Sequence, residues 1–348
     1  MRPVFSYRNR ARLRRVLLTL LIVLAVALAL CIVTLAYLDR YIVYDQEGAH
    51  LDVDWKEHTQ TAPTAAVSSI EAEISYVTAD DDAAIGTTRK VTGYYVTREM
   101  LQNPDAVRQT LESGSYYAVL FDLRDGFGAF YYPTAIGGGR YATSVDTQAV
   151  GKLISDLKQS GVYLIARIPA FADQNYCMNN TDLGLPLSSG ALWADSQGCY
   201  WMDPANPAVI SRIESVCSEL QTLGFREVVL DSFHFPQTDS IIYDESERSK
   251  EDILIEAATT LQSDLGLTEL KVSFGIPGDM AFPLMLTQGR LYFNLDDGAE
   301  IAAIAATQAA SVITPDVQLV FLTESHDTRF DDFGHLSPAV ESAVPAEE

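Results

Sequence analysis

The feature that most limits what this chain can become is an alternation of two patterns across about 235 residues of its length. Apolar runs with strand character occur at Val91–Val96, Tyr117–Asp122, Val162–Ile168, Glu227–Asp231, Leu270–Gly275, Arg290–Leu295 and Val317–Thr323. Between most of them lie stretches with helical spacing: Pro104–Glu112, Thr147–Gln159, Pro207–Leu223, Lys250–Leu265 and Ala299–Ala309. Continuous apolar strands that alternate with helices belong to a parallel sheet buried on both faces. The expected fold is therefore α/β, a (β/α)8 TIM-type barrel, whose usual length is ~250 residues. Only seven units can be counted, so the barrel is expected to be incomplete or irregular at its C-terminal end. A doubly wound open sheet is the alternative, but no Gly-rich phosphate loop follows the first strand. Gly137-Gly138-Gly139 follows the second strand and lacks the dinucleotide spacing.

Ahead of this domain stands a segment of a different kind. Val16 to Tyr37 is a run of 22 residues without a charge, and at ~1.5 Å per residue it reaches across a ~30 Å hydrocarbon layer. Five arginines lie between Arg8 and Arg15, directly before it, and positive charge keeps that flank in the cytoplasm. A cleaved signal peptide would have a shorter apolar region and a small-residue cleavage site. Leu28-Ala29-Leu30-Cys31 resembles a lipoprotein box, but Leu30 is too bulky for one. The expected organisation is a basic cytoplasmic tip (1–15), a single transmembrane anchor (16–38), an acidic Thr/Ala-rich stalk (39–90), the barrel (91–330) and an acidic disordered tail (331–348). The protein would sit in the cell membrane, with the C-terminal domain extracellular.

Charge fits that division. The formal net charge of the whole chain is −23, yet residues 1–40 hold seven basic residues and one acid. Residues 41–348 carry a net −29, which argues against nucleic acid as a partner, because phosphate binding needs a basic surface. Outside the anchor, Cys177, Cys199 and Cys217 are too few for a disulfide scaffold. Cys177 and Cys199 fall in one loop region where pairing is open. No Cys/His spacing suggests zinc, and neither metal nor organic cofactor is implied.

In a barrel of this type the active site is built where strands end and the following loops begin. The second strand ends with Asp122, Arg124 and Asp125; the third carries Arg167; the fourth ends in Asp231 and leads to His234; the last run ends with Glu324. Asp231 follows Val-Val-Leu, where a carboxylate is costly unless it is paired, hydrogen-bonded or open to a cleft. Asp122 and Asp125 also suit ordinary turn chemistry, and Arg124 or Arg167 could be an ion-pair partner of Asp231. The loops are rich in aromatics, among them Phe171 and Trp201. Aromatic faces beside carboxylates suit sugar rings, which offer C–H faces and hydroxyls.

These residues bring a family into view. Gly161-Val162-Tyr163-Leu164-Ile165-Ala166-Arg167-Ile168-Pro169-Ala170-Phe171 resembles the G-x-Y-x-I-A-R-I-x-x-F stretch of a bacterial family of "putative glycoside hydrolase" domains. Trp201-Met202-Asp203-Pro204 is similar to that family's Trp-x-Asn-Pro, and Gly224 through Pro236 to its G-F-D-E-I-Q-F-D-Y-V-R-F-P. Asp122 with Asp125 resembles its acidic D-x-K-D. The resemblance runs from about Val91 to Pro236 and implies an α-amylase-like barrel with Asp231 as the leading catalytic carboxylate. Asp203, Arg226, Ser232 and His234 depart from its pattern, and its M-V-Y-P-S-H-Y segment has no counterpart here.

Glycoside hydrolysis uses two carboxyl groups. Asp231 is expected as nucleophile or base, with Asp122, Asp125, Asp203 or Glu324 as partner. Arg124, Arg167, Trp201, His234 and Phe171 are the expected substrate contacts. The partner would be a polysaccharide or cell-wall glycan. A catalytically inactive barrel, acting as a glycan-binding or envelope-scaffold module, is the alternative.

Overall fold

The computed structural model describes residues 89–339 apart from Ser115, Gly138 and 244–247, together with the backbone of two short strands, Ile42–Asp45 and Gly48–Leu51. Those two pair as an antiparallel hairpin. The expected tip and anchor (1–38), most of the stalk, and the tail beyond Ala339 lie outside the described residues. Among the described residues no helix is long and apolar enough to cross a membrane. Two compact units are distinguished, Met1–Glu73 and Ile74–Glu348, and the barrel belongs to the second.

Eight parallel strands close on themselves. In chain order they are β1 (Thr92–Val96), β2 (Ala118–Asp122), β3 (Tyr163–Pro169) and β4 (Glu227–Asp231). They continue with β5 (Lys271–Gly275), β6 (Leu291–Asn294), β7 (Leu319–Leu322) and β8 (Gly334–Pro338). Each strand pairs with its sequence neighbours, and β8 pairs with β1 to complete the ring. The expected boundary at residue 330 is thus corrected. Residues 334–338, read from sequence as part of a disordered tail, are the eighth strand. Its Gly-His-Leu-Ser-Pro sequence carries one aliphatic residue, so it shows no apolar run.

The principal helices are α1 (Pro104–Ser113), α2 (Thr147–Gln159), α3 (Pro207–Leu223), α4 (Lys250–Gly266) and α5 (Ile301–Thr307), followed by a single turn, α6 (Pro315–Gln318). Local chemistry sets their ends. Asp146 accepts from the backbone of Gln148 and Ala149 to cap α2, and Asn206 caps α3 just ahead of Pro207. Gly224 ends α3 in the left-handed conformation, with φ of 112°. Ser249 and Asp252 form a reciprocal capping box on α4. The helices bury residues such as Leu153, Ile213, Leu220 and Leu261 against the outward faces of the strands, each worth ~1.5–3 kcal/mol in burial.

The fold is irregular where β5 passes to β6: residues 276–290 contain no helix. Buried side chains fasten this connection instead. Gln308 accepts from the Phe282 N–H at 2.9 Å and donates to the Met280 carbonyl at 2.6 Å. Ser311 donates to the Phe282 carbonyl at 2.5 Å, and Gln318 to the Leu286 carbonyl at 2.9 Å.

Candidate active site

Alternation along the strands decides what lines the barrel. Tyr95, Leu120, Ile165, Val229, Tyr292, Val320 and Leu336 form one interior cluster, so residues two positions further along β2, β3, β4 and β6 share that inward face. They are Asp122, Arg167, Asp231 and Asn294. These four side chains, with Tyr95, make the top of the interior.

Arg167 spans this layer. Its Nε donates to Asp122 Oδ1 at 2.5 Å, one terminal nitrogen to Asp122 Oδ2 at 2.8 Å, and the other to Asn294 Oδ1 at 2.8 Å. Burial works against its charge, but the Asp122 carboxylate and its hydrogen bonds, with a contribution from Asp231, hold the guanidinium above its ordinary pKa. Such a two-point pairing fixes orientation as well as charge. Asp122 is thereby committed to Arg167, which corrects its candidacy as the second catalytic carboxyl. The Tyr95 hydroxyl is pushed up to about 12 by burial and by the nearby charges of Glu324 and Asp296, so it remains a neutral donor.

Asp231 differs. Among the described residues its carboxylate joins no salt bridge, and it is only partly buried. It rests against Gly275 of the neighbouring strand. A Cβ at that position would meet Asp231 Oδ1 at 2.4 Å, so the missing side chain is what gives the carboxylate its room. Immediately after Asp231, Ser232 adopts a left-handed φ of 54°, a conformation that costs a non-glycine residue ~1–3 kcal/mol. The turn is held by Phe233 N–H donating to the Gly275 carbonyl at 3.0 Å and His234 N–H to the Ser232 carbonyl at 2.9 Å.

Asp231 opens into a cavity of about 250 Å³ shared with His234, Gly275, Asn294 and Glu300. Glu300 ends a short 3-10 turn, Gly298–Glu300, after β6. His234 Nδ1 lies 2.9 Å from the Phe235 carbonyl. A carbonyl only accepts, so that nitrogen carries the proton and Nε2 is the acceptor in the neutral ring. The imidazole packs against the Trp201 indole with ring centres 5.4 Å apart. Trp201 is 7% exposed; its N–H donates to Asp195 Oδ2 at 3.0 Å, and it meets Trp193 edge-on at 5.8 Å. It backs His234 more than it presents a free face.

Several expected site residues have other work. Arg124 is buried in an ion pair with Asp173 and sits over the Phe130 ring at 5.3 Å, which withdraws it from any substrate. Asp125 closes a turn, accepting from the Ala129 N–H at 2.8 Å and the Tyr131 hydroxyl at 3.2 Å. Asp203 does the same with the Ala205 N–H at 2.9 Å and the Tyr243 hydroxyl at 3.0 Å. Both carboxylates are thus engaged in holding turns. Phe171 is wholly buried against Phe233, 5.0 Å between centres, so it is core and not a contact. Glu324 stands exposed past the end of β7, its N–H 3.5 Å from Asp296 Oδ1. Cys177, Cys199 and Cys217 are unpaired and buried; burial, reinforced by Asp173, pushes the Cys177 thiol up to about 12.

Sequence reasoning passed over Tyr95, Gly275, Asn294 and Glu300. One signal was present: Asn294-Leu295-Asp296-Asp297, where β6 ends, is as polar as the strand ends that carry Asp122 and Asp231. Among the described residues no cluster of His, Cys, Asp or Glu is arranged to hold a metal ion.

Residues 93–280 match the family described as "Putative glycosyl hydrolase domain". No curated protein matches the chain. Among solved structures, the chain is similar to the GH36 α-galactosidase AgaA of Geobacillus stearothermophilus, at 12% identity and a TM-score of 0.52 over 72% of this chain and 38% of that one. A substituted form of AgaA in complex with raffinose gives 13% identity and 0.51, over 72% and 39%. The chain therefore spans about two-fifths of the length of these relatives, and the likeness is one of fold. A hypothetical protein of Ruminiclostridium thermocellum is 19% identical, with a TM-score of 0.44, over 49% of this chain and 92% of that one.

Proposed function

We propose, from the premise that the chain belongs to the family of "Putative glycosyl hydrolase" domains, that its barrel cleaves a glycan at the cavity above Asp231. The observation that carries the reading is the state of that carboxylate: inward-pointing, at the end of β4, outside every described ion pair, and facing a cavity that Glu300 also lines. The cavity, at about 250 Å³, lies just under the ~300 Å³ where sites for larger ligands begin, and so suits one sugar ring.

In this reading Asp231 attacks the anomeric carbon or activates the water that does. Glu300 protonates the departing glycosidic oxygen, and the sugar leaves with the hydroxyl of water at its anomeric carbon. A carboxyl separation of ~5–5.5 Å accompanies retention of configuration and ~6.5–9.5 Å inversion. Arg167, fixed by Asp122 and Asn294, supplies a rigid positive charge near Asp231, with the neutral Tyr95 hydroxyl in the same layer. His234, backed by Trp201, forms the side wall. Glu324 at the exposed rim would meet the next sugar of a chain.

The apolar run from Val16 and the arginines before it support display of the domain outside a cell membrane, where a polysaccharide or cell-wall glycan is the accessible substrate. The test is a hydrolysis screen of the full chain in lipid nanodiscs against a glycan panel, alongside Asp231→Asn and Glu300→Gln. Release by the wild type and its loss in both variants is the expected result. Equal release by Asp231→Asn overturns the assignment. Glycan retention without release, unchanged in Asp231→Asn, marks a binding module instead.

A further inference from the structure

Beside the sugar-sized cavity lies a larger one of about 520 Å³. The two share His234 and Ile276 as a common wall. Their linings differ in kind. Where the first presents carboxylates and an amide, the second is walled mainly by Phe233 and Phe235 from the turn after β4, Leu254 from α4, and Met280, Phe282 and Met285 from the helix-free β5–β6 connection, with Lys250 and the exposed Glu251 at the start of α4 as its charged members. An apolar cavity of this size falls inside the ~300–1,000 Å³ range of small-molecule sites.

Its far wall is preformed. Phe282 stacks on Phe274 with centres 4.7 Å apart and approaches Phe233 at 6.1 Å. Its backbone N–H and carbonyl are both held, by Gln308 and Ser311. The mouth is adaptable: Met285 is 47% exposed, and thioether side chains reshape at little cost. A rigid apolar floor, a soft rim and a shared wall with a polar cavity together match a ligand that is sugar at one end and hydrocarbon at the other.

We propose that this cavity receives an apolar, non-sugar aglycone, so that the substrate is a glycoconjugate whose sugar sits over Asp231 and whose alkyl or aryl group packs between Phe233, Leu254 and Phe282. The proposal rests on the reading of the Asp231 cavity as a glycosidase site. Cleavage breaks the bond between the anomeric carbon and the glycosidic oxygen. Water gives its hydroxyl to the sugar and its proton, by way of the acid, to the aglycone oxygen, which departs as an alcohol.

The test has a binding arm and a turnover arm, both on the full chain in nanodiscs. With methyl-labelled methionine, the six methionines serve as NMR reporters while 1-hexanol is added. Saturable shifts at Met280 and Met285, with Met202 unmoved, are expected, and Ala310→Trp, placed at the exposed rim of the cavity, should abolish them. An unmoved Met202 signal in that variant reports that it has folded; Ala281→Trp is the second variant. In the turnover arm, each sugar of a panel is offered as its methyl and hexyl glycoside. A buried methylene is worth about fourfold in kcat/KM, from ~0.8 kcal/mol each, so hexyl should exceed methyl at least tenfold and Ala310→Trp should bring the ratio near one. Equal turnover of the two glycosides overturns the aglycone while leaving the glycosidase reading standing. Absence of any saturable shift overturns the cavity as a site. Hexanol binding without turnover of any glycoside overturns the glycosidase reading and the aglycone with it.

Discussion

Glu227 and Asp231 stand four residues apart on the same strand and both point into the barrel, yet their surroundings are opposite. Glu227, at the lower end, is wholly buried and receives hydrogen bonds from Tyr163 at 2.9 Å, Ser273 at 2.6 Å and Tyr292 at 3.0 Å, besides an ion pair with Arg290. Burial alone would raise its pKa, but Arg290, Lys271 and the hydroxyl donors together hold it below the ordinary value. Asp231, at the upper end, has been left with room and with no described ion-pair partner. A carboxylate inside a barrel thus costs little when every lone pair is met. One left unmet at the mouth persists because water can reach it. The lower end holds the ring together and the upper end is available for chemistry.

The comparison can be broken in four places. The largest effect concerns the ring itself. A chain ending at Phe330 lacks β8, leaving β1 and β7 with open edges, and should show no cooperative unfolding transition; a chain ending at Ala339 should unfold in one. Next is the lower network. Arg290→Met leaves Glu227 buried and unpaired and should cost about 3–5 kcal/mol, read from the urea midpoint. The same carboxylate has a pH signature. With its folded pKa below the unfolded value of about 4.3, its contribution is complete above that pH. It is lost as pH falls through the lower folded value, and Glu227→Gln should remove this part of the acid slope. Third, Asp231→Asn should change stability by less than about 0.5 kcal/mol while lowering turnover at least ~100-fold. A stability loss as large as that of Arg290→Met would erase the contrast. The smallest effect belongs to Asp125→Asn, which keeps the acceptor for the Ala129 N–H but loses the one for the Tyr131 hydroxyl. It should leave turnover unchanged and cost about 1 kcal/mol of stability.

Seven of the eight strands could be read from the chain because their apolar runs are local signals. The bounds of α2 and α3 followed for the same reason, since Asp146, Asn206-Pro207 and Gly224 punctuate them. The eighth strand could not be read. Leu336 is its one aliphatic residue, and what makes Gly334–Pro338 a strand is the pair of open edges it fills. The site divides along the same line. Strand-end position singled out Asp231 and Arg167, but sequence could not say which carboxylate Arg167 would take, and the structure gives it Asp122. Asp125, Asp203 and Arg124 sit at equally suggestive positions, and their partners, Ala129, Tyr243 and Asp173, come from turns and contacts that only folding creates. Glu300 was missed because it belongs to the turn beyond β6.

The pairing of the first and last strands has a mechanical consequence. β1 and β8 run parallel in the register Thr92 with His335 through Tyr95 with Pro338, so the chain enters the barrel at one end and leaves it at the other. Tension applied between the segment before Thr92 and the segment after Pro338 therefore pulls the two strands past each other lengthwise. The rungs of that ladder are loaded together and cannot open one by one. Resistance to such a pull is governed by the unfolding rate, and it is greatest when the bonds must yield at once. A barrel drawn taut between its two chain ends is held at its seam in shear.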